Sequence, residues 1–169
     1  MKDGSPLTFR PLRPEDEPAW HAFLSRCSEK TLWSRFRYVF KESTHEMATR
    51  FCFIDYDRTI AIAAEDESYE GADDDGRLVA IGRLVADPDH RTAEYAILVE
   101  DAWQGRGLGA AMTAYCMEIC RDWKIDRVTG ETTADNRRMQ TLFRNHGFSL
   151  VPTDDAEEML FRRRFSDSP

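Results

Sequence analysis

Val99-Glu100-Asp101-Ala102-Trp103-Gln104-Gly105-Arg106-Gly107-Leu108-Gly109 is the stretch whose reading decides the fold. The apolar, β-rich run Thr92-Ala93-Glu94-Tyr95-Ala96-Ile97-Leu98-Val99 precedes it, and a helical pattern without proline or further glycine runs from Leu108 to Trp123. A strand, a glycine-rich turn and a helix start are the parts of a phosphate-binding loop. Glycines let the backbone approach an anion, and the amides of a first helical turn have no partner inside the helix. Arg106 adds a fixed positive charge in the same turn. Two common glycine loops do not fit. A P-loop needs Lys-Ser or Lys-Thr after its last glycine, where Ala110-Ala111 stands. A dinucleotide fingerprint needs wider spacing, in the first strand-helix unit, with an acidic ribose ligand after it. The spacing present is Gln104-x-x-Gly107-x-Gly109, and the plain alternative to a ligand site is a tight strand-to-helix turn.

Outward from this stretch, the 169 residues suit one domain with a full core. Residues 1–6 read as an N-terminal tail, 7–165 as the domain and 166–169 as a C-terminal tail. No apolar run approaches the roughly 20 residues of a membrane span. The start of the chain has no hydrophobic signal core, so a cytoplasmic location is expected. A net charge of -8 argues against a nucleic-acid surface. Cys27, Cys52, Cys116 and Cys120 form no Cys-x-x-Cys pair, and the histidines are scattered, so no metal site is expected. Asp73 to Asp75 lack the alternation and closing glutamate of a calcium loop.

In chain order, Leu7 to Arg13 reads as an edge strand and Pro14-Glu15-Asp16-Glu17 as a helix opening. Ser28 caps a second helix, and Ser43 or Thr44 a third. Trp20, Trp33, Phe36, Tyr38 and Phe51 on this segment are either core or one wall of a cleft. Strands follow at Arg58 to Ala64, Arg77 to Val85 and Thr92 to Val99, with an exposed hairpin loop from Ser68 to Gly76. After the central helix come a strand from Arg127, a helix opened by Asp135 or Asn136 and stopped by Gly147, and a last strand from Glu157 to Phe165. The order β-α-α-α-β-β-β-α-β-α-β-β implies an α/β fold: a mixed sheet of about six to seven strands with helices on both faces.

The Gln-x-x-Gly-x-Gly loop between a strand and a helix resembles that of the GNAT superfamily of N-acetyltransferases. That resemblance implies acetyl-CoA as co-substrate. Gln104, Gly105, Arg106, Gly107, Leu108 and Gly109 would form the pyrophosphate loop, and the backbone of Leu98 and Val99 would hold the pantetheine amides. Asn136, in Ala134-Asp135-Asn136-Arg137-Arg138-Met139, matches an asparagine that contacts the cofactor arm. Arg10 to Asp16, Ser34-Arg35-Phe36-Arg37-Tyr38 and Ala93-Glu94-Tyr95-Ala96 are further similar to the Pat-type bacterial protein lysine acetyltransferases. The implied acceptor is then a protein lysine, with AMP-forming acyl-CoA synthetases as targets. Many superfamily members place a thiolate-protonating tyrosine four residues before the glycine of the final Gly-Phe. Here that residue is Phe143, a departure the Pat-type branch shares.

Glu94 is the only acid in the run Thr92 to Val99, and it matches the Pat-type glutamate. As general base it would take the proton of an amine whose pKa starts near 10.4. The competing expectation is an ion pair: a symmetric turn at Asp87 to His90 would set Arg83 opposite Glu94. Two other functions remain open at this stage, a small-molecule N-acetyltransferase for a polyamine, amino acid or antibiotic, and a non-catalytic acetyl-CoA sensor.

Overall fold

The structure is a computed structural model that describes residues 4, 6–38, 40–69, 77–153, 155 and 157–165. Of the expected tails and loop, Met1 to Asp3, Ser5, Glu70 to Gly76 and Ser166 to Pro169 lie outside the described residues.

The chain runs β1 (Leu7–Pro11), α1 (Glu17–Ser25), α2 (Glu29–Phe36), α3 (His45–Phe51), β2 (Thr59–Asp66), β3 (Arg77–Ala86), β4 (Thr92–Val99), α4 (Leu108–Asp122), β5 (Arg127–Thr133), α5 (Arg137–Asn145), β6 (Ser149–Val151) and β7 (Glu158–Arg164). The expected order of elements holds throughout, with ends moved by one to three residues. The seven strands form one sheet in the order β1-β2-β3-β4-β5-β7-β6. All neighbours are antiparallel except β4 and β5.

Two apolar clusters sandwich the sheet. On one face Leu108, Met112, Cys116 and Cys120 of α4, at helical spacing, pack with Phe143 of α5 on Ile62, Ala64, Leu84 and Tyr95. On the other face Trp20, Phe23 and Leu24 of α1 and Ala48 of α3 pack on Ala61, Ala63 and Leu98. Alternate residues of β2 therefore serve opposite clusters, which explains its nearly continuous apolar run. Each large side chain buried this way contributes about 1.5 to 3 kcal/mol. Ser28 caps α2 and Thr44, rather than Ser43, caps α3, each accepting from a backbone amide at 3.3 Å.

The aromatic segment divides between its two expected roles. Trp20 is core, whereas Trp33 is 47% exposed and Tyr38 44%. Phe143 is fully buried, 4.9 Å from Phe148 and 5.1 Å from Phe161 by ring centroids. A Cβ on Gly130 would fall 2.4 Å from its ring, so β5 and α5 approach closely only because Gly130 has none.

Candidate active site

The parallel pairing of β4 with β5 covers only Thr92↔Arg127, Ala93↔Val128 and Glu94↔Thr129. Beyond Glu94 the two strands part. Among the described residues no strand pairs with the β5-facing edge of Tyr95 to Val99, and the gap opens into a cleft of about 910 Å³. Glu94 stands at the apex and Gly105, Gly107 and Gly109 border the far end.

The loop end has the features of an anion site. Gly107 is the N-cap of α4 at φ 94°, a conformation that disfavours any side chain. Lacking a side chain, this cap offers no acceptor to the first-turn amides, and that turn carries no acidic residue. The open amides and the helix dipole favour a negative group there. Lys30, Arg137 and Arg138 border the same cleft.

Gln104 braces this loop. Its Nε2 donates to the Val99 carbonyl at 3.0 Å and to Thr31 Oγ1 at 3.1 Å, and its Oε1 accepts from Arg138 at 2.5 Å. Thr31 and Ser28 in turn donate to Asp101, at 2.8 to 2.9 Å. Burial pushes the Asp101 carboxyl up, but these hydrogen bonds outweigh it and hold it below the usual range. The network ties α2 and α5 to the loop between them.

The remaining candidates separate. Leu98, Val99 and Asn136 border the cleft. The Asn136 side chain caps α5, its oxygen accepting from Met139 N at 3.1 Å. Leu108 is buried core, and the Arg106 guanidinium lies 4.1 Å over the Trp103 ring; neither side chain lines the cleft. Leu108 and Arg106 therefore belong to the loop through their backbone.

The expected opposition of Arg83 and Glu94 is corrected by the register. Glu94 pairs with Val85, and Arg83 with Ala96. The symmetric turn fails because the Asp87 carboxylate accepts from the Arg91 and Thr92 amides, which displaces the hairpin by two residues. Arg83 instead donates to the carbonyls of Phe51 and Arg50, both at 3.1 Å, closing the end of α3.

Residues to which the sequence assigned no role in the site complete the acceptor end, Arg35 and Arg37 having stood only within the stretch Ser34 to Tyr38. Glu131 and Glu158 border the cleft with Glu94, while Arg35 and Arg37 face it from α2 and its end. Arg37 pairs with Glu158 at 3.4 Å. The period-two alternation of β5 could have put Glu131 on the face of Thr129, but only knowledge that Thr129 opposes Glu94 makes that informative. Burial, with the charges of Glu94 and Glu158, pushes the Glu131 carboxyl above its ordinary value. Ionised Glu131 therefore opposes folding. The penalty is absent below the usual carboxylate pKa and grows as pH rises through the folded value. Glu131→Gln is expected to raise the melting temperature at pH 7.5, with the gain vanishing near pH 4, as read by calorimetric scans at both pH values.

Among the described residues no group of three or more His, Cys, Asp or Glu is arranged to hold a metal, and no helix is long and apolar enough to cross a membrane.

Residues 19–148 match the model of the Acetyltransferase (GNAT) family. The chain is 28% identical over 165 residues to an acetyltransferase of Pseudomonas aeruginosa, covering 96% of this chain and 86% of that protein. In structure it is similar to the GNAT domain of S. lividans PAT, with TM-score 0.86 at 22% identity, covering 97% of this chain and 93% of that one. It is also similar to a spermidine N-acetyltransferase from Vibrio cholerae in complex with CoA and spermine, with TM-score 0.70 at 15% identity, covering 92% of each chain.

Proposed function

The chain belongs to the acetyltransferase (GNAT) family, and from that premise we propose that it transfers an acetyl group from acetyl-CoA to the amine of a lysine side chain on a folded protein, with Glu94 as general base. One observation carries this reading: a strand edge unpaired among the described residues, the uncapped amides of α4 and a carboxylate at the apex all border one cleft. The edge of Leu98 and Val99 suits the amides of a pantetheine arm, and the Gly105 to Gly109 backbone suits a pyrophosphate. Asn136 and the neighbouring Arg138 flank the same arm.

Acetyl-CoA supplies the activated acyl group. Glu94 takes a proton from the acceptor ammonium, directly or through water, since only the neutral amine attacks. The amine nitrogen bonds to the thioester carbon, the C–S bond breaks and the thiolate leaves. Phe143 lies in the core, so the thiolate gains its proton from solvent or from the nitrogen that has just been acylated. The four cysteines are free and buried, which suits the reducing cytoplasm as the site of action.

A second reading, a small polar amine such as a polyamine, amino acid or antibiotic, is favoured by side chains of both signs at the acceptor end: Glu94, Glu131, Arg35 and Arg37. The test is incubation with acetyl-CoA and a deacetylated cell extract, with acetyl-lysine mapped by mass spectrometry and thiol release followed across a panel of amines. Lysine sites enriched over a Glu94→Gln control are expected, AMP-forming acyl-CoA synthetases among them. Fast acetylation of a small amine with no enriched lysine would replace the first reading by the second. Tight acetyl-CoA binding with no thiol release from any acceptor would mark a sensor.

A further inference from the structure

Besides Glu94, the acceptor end holds a charged side chain that the chemistry above leaves without a task. Arg35, in the last turn of α2, borders the cleft with Glu94 and also a second, small gap lined by Trp20, Ile81 and Leu98. Its guanidinium carbon lies 5.3 Å from the Phe36 ring centroid and 6.0 Å from that of Phe51. Among the described residues no carbonyl or carboxylate accepts a hydrogen bond from it.

Neighbouring arginines differ. Arg83 closes α3, Arg37 holds Glu158, and Arg10 holds Asp16 with two hydrogen bonds of 2.7 and 2.8 Å. Burial, together with the charge of Arg83, pulls the Arg35 guanidinium below its ordinary pKa, with Glu94 acting against this. A guanidinium carries five donors, and a partly desolvated one lacking acceptors is unfavourable. Its planar fork matches a carboxylate with two parallel hydrogen bonds.

We infer that Arg35 receives a carboxylate of the acceptor, held close to the amine that Glu94 deprotonates. The acceptor class is an amine with an acidic group a few bonds or one side chain away: a lysine with an acidic neighbour on a protein, or a free amino acid. This rests on the acetyltransferase reading above and narrows it.

The test compares acceptors in matched pairs, a lysine peptide with a neighbouring Asp against the same peptide with Asn, and glutamine against its α-carboxamide, which lacks the free carboxylate. Wild-type protein is expected to favour the acidic member in kcat/KM by about 10- to 100-fold, the range of a charge-assisted hydrogen-bonded pair. Arg35→Gln should flatten that ratio, chiefly through KM, and Arg35→Lys should restore part of it. The pair that shows the preference identifies the source of the carboxylate. A wild-type protein without preference, or a preference kept in Arg35→Gln, would overturn the inference and leave the acetyltransferase reading standing. So would a preference for succinyl-CoA over acetyl-CoA that Arg35→Gln abolishes, since the carboxylate would then be the donor's. A purely structural Arg35 would lower melting temperature and both acceptors equally. Glutamate binding to the CoA-saturated protein, measured by NMR titration, decides the matter without turnover: weaker binding in Arg35→Gln supports the inference, and equal binding refutes it. Should Arg35→Gln fail to fold, Arg35→Lys serves both measurements, because an ammonium lacks the fork.

Discussion

Glu94→Gln is expected to lower kcat by about 100- to 10,000-fold, the range for loss of a positioned general base, while acetyl-CoA affinity stays within a few-fold of wild type. The substitution keeps size and polarity but removes the proton acceptor. Glu94 is exposed to the cleft at the point where β4 and β5 part, so the change disturbs little packing. Arg83 is turned away to the end of α3, and the carboxylate has no arginine partner on the opposing strand position. Raising the pH should rescue the variant in part, because more of the acceptor amine is then neutral without help. Steady-state kinetics at saturating acceptor, with calorimetry for the cofactor, separates the two effects. A wild-type rate at saturation would remove Glu94 as the base.

Gly107→Val should reduce acetyl-CoA affinity below what calorimetry detects. At φ 94° a β-branched residue carries strain of about 1 to 3 kcal/mol, and relief requires the loop to turn. Turning it swings the Leu108, Gly109 and Ala110 amides away from the cleft and unseats Gln104 from Val99 and Thr31. The core beneath is separate, since Leu108 and Met112 pack through the other side of α4. Circular dichroism should therefore retain the helix signal while binding is lost. Unchanged affinity in a folded variant would take the loop out of the cofactor site.

The order of elements and the position of the loop were legible in the sequence because they rest on local rules. Gly107 follows from the conformation a strand-to-helix turn demands, Ser28, Thr44 and Asn136 from capping chemistry, and α4 from the four-residue spacing of Leu108, Met112, Cys116 and Cys120. Glu94 stood out as the one acid in an uncharged strand. What lay beyond the sequence depends on contacts between distant segments. The Arg83 register needed the Asp87 carboxylate to shift a hairpin, which no period-two count contains. Gln104 reads as a loop residue until Arg138, 34 positions away, and Thr31, 73 positions away, converge on it. Glu131 has ordinary neighbours in the chain, and the stretch around Arg35 showed a resemblance but no role for that side chain; both matter because the sheet parts after Glu94 and α2 borders the opening. Backbone conformation is decided by a few adjacent residues, and so sequence alone determined the elements and the loop. The charged environment of the cleft is set by side chains brought together from α2, β4, β5 and β7, and only the tertiary structure decided it.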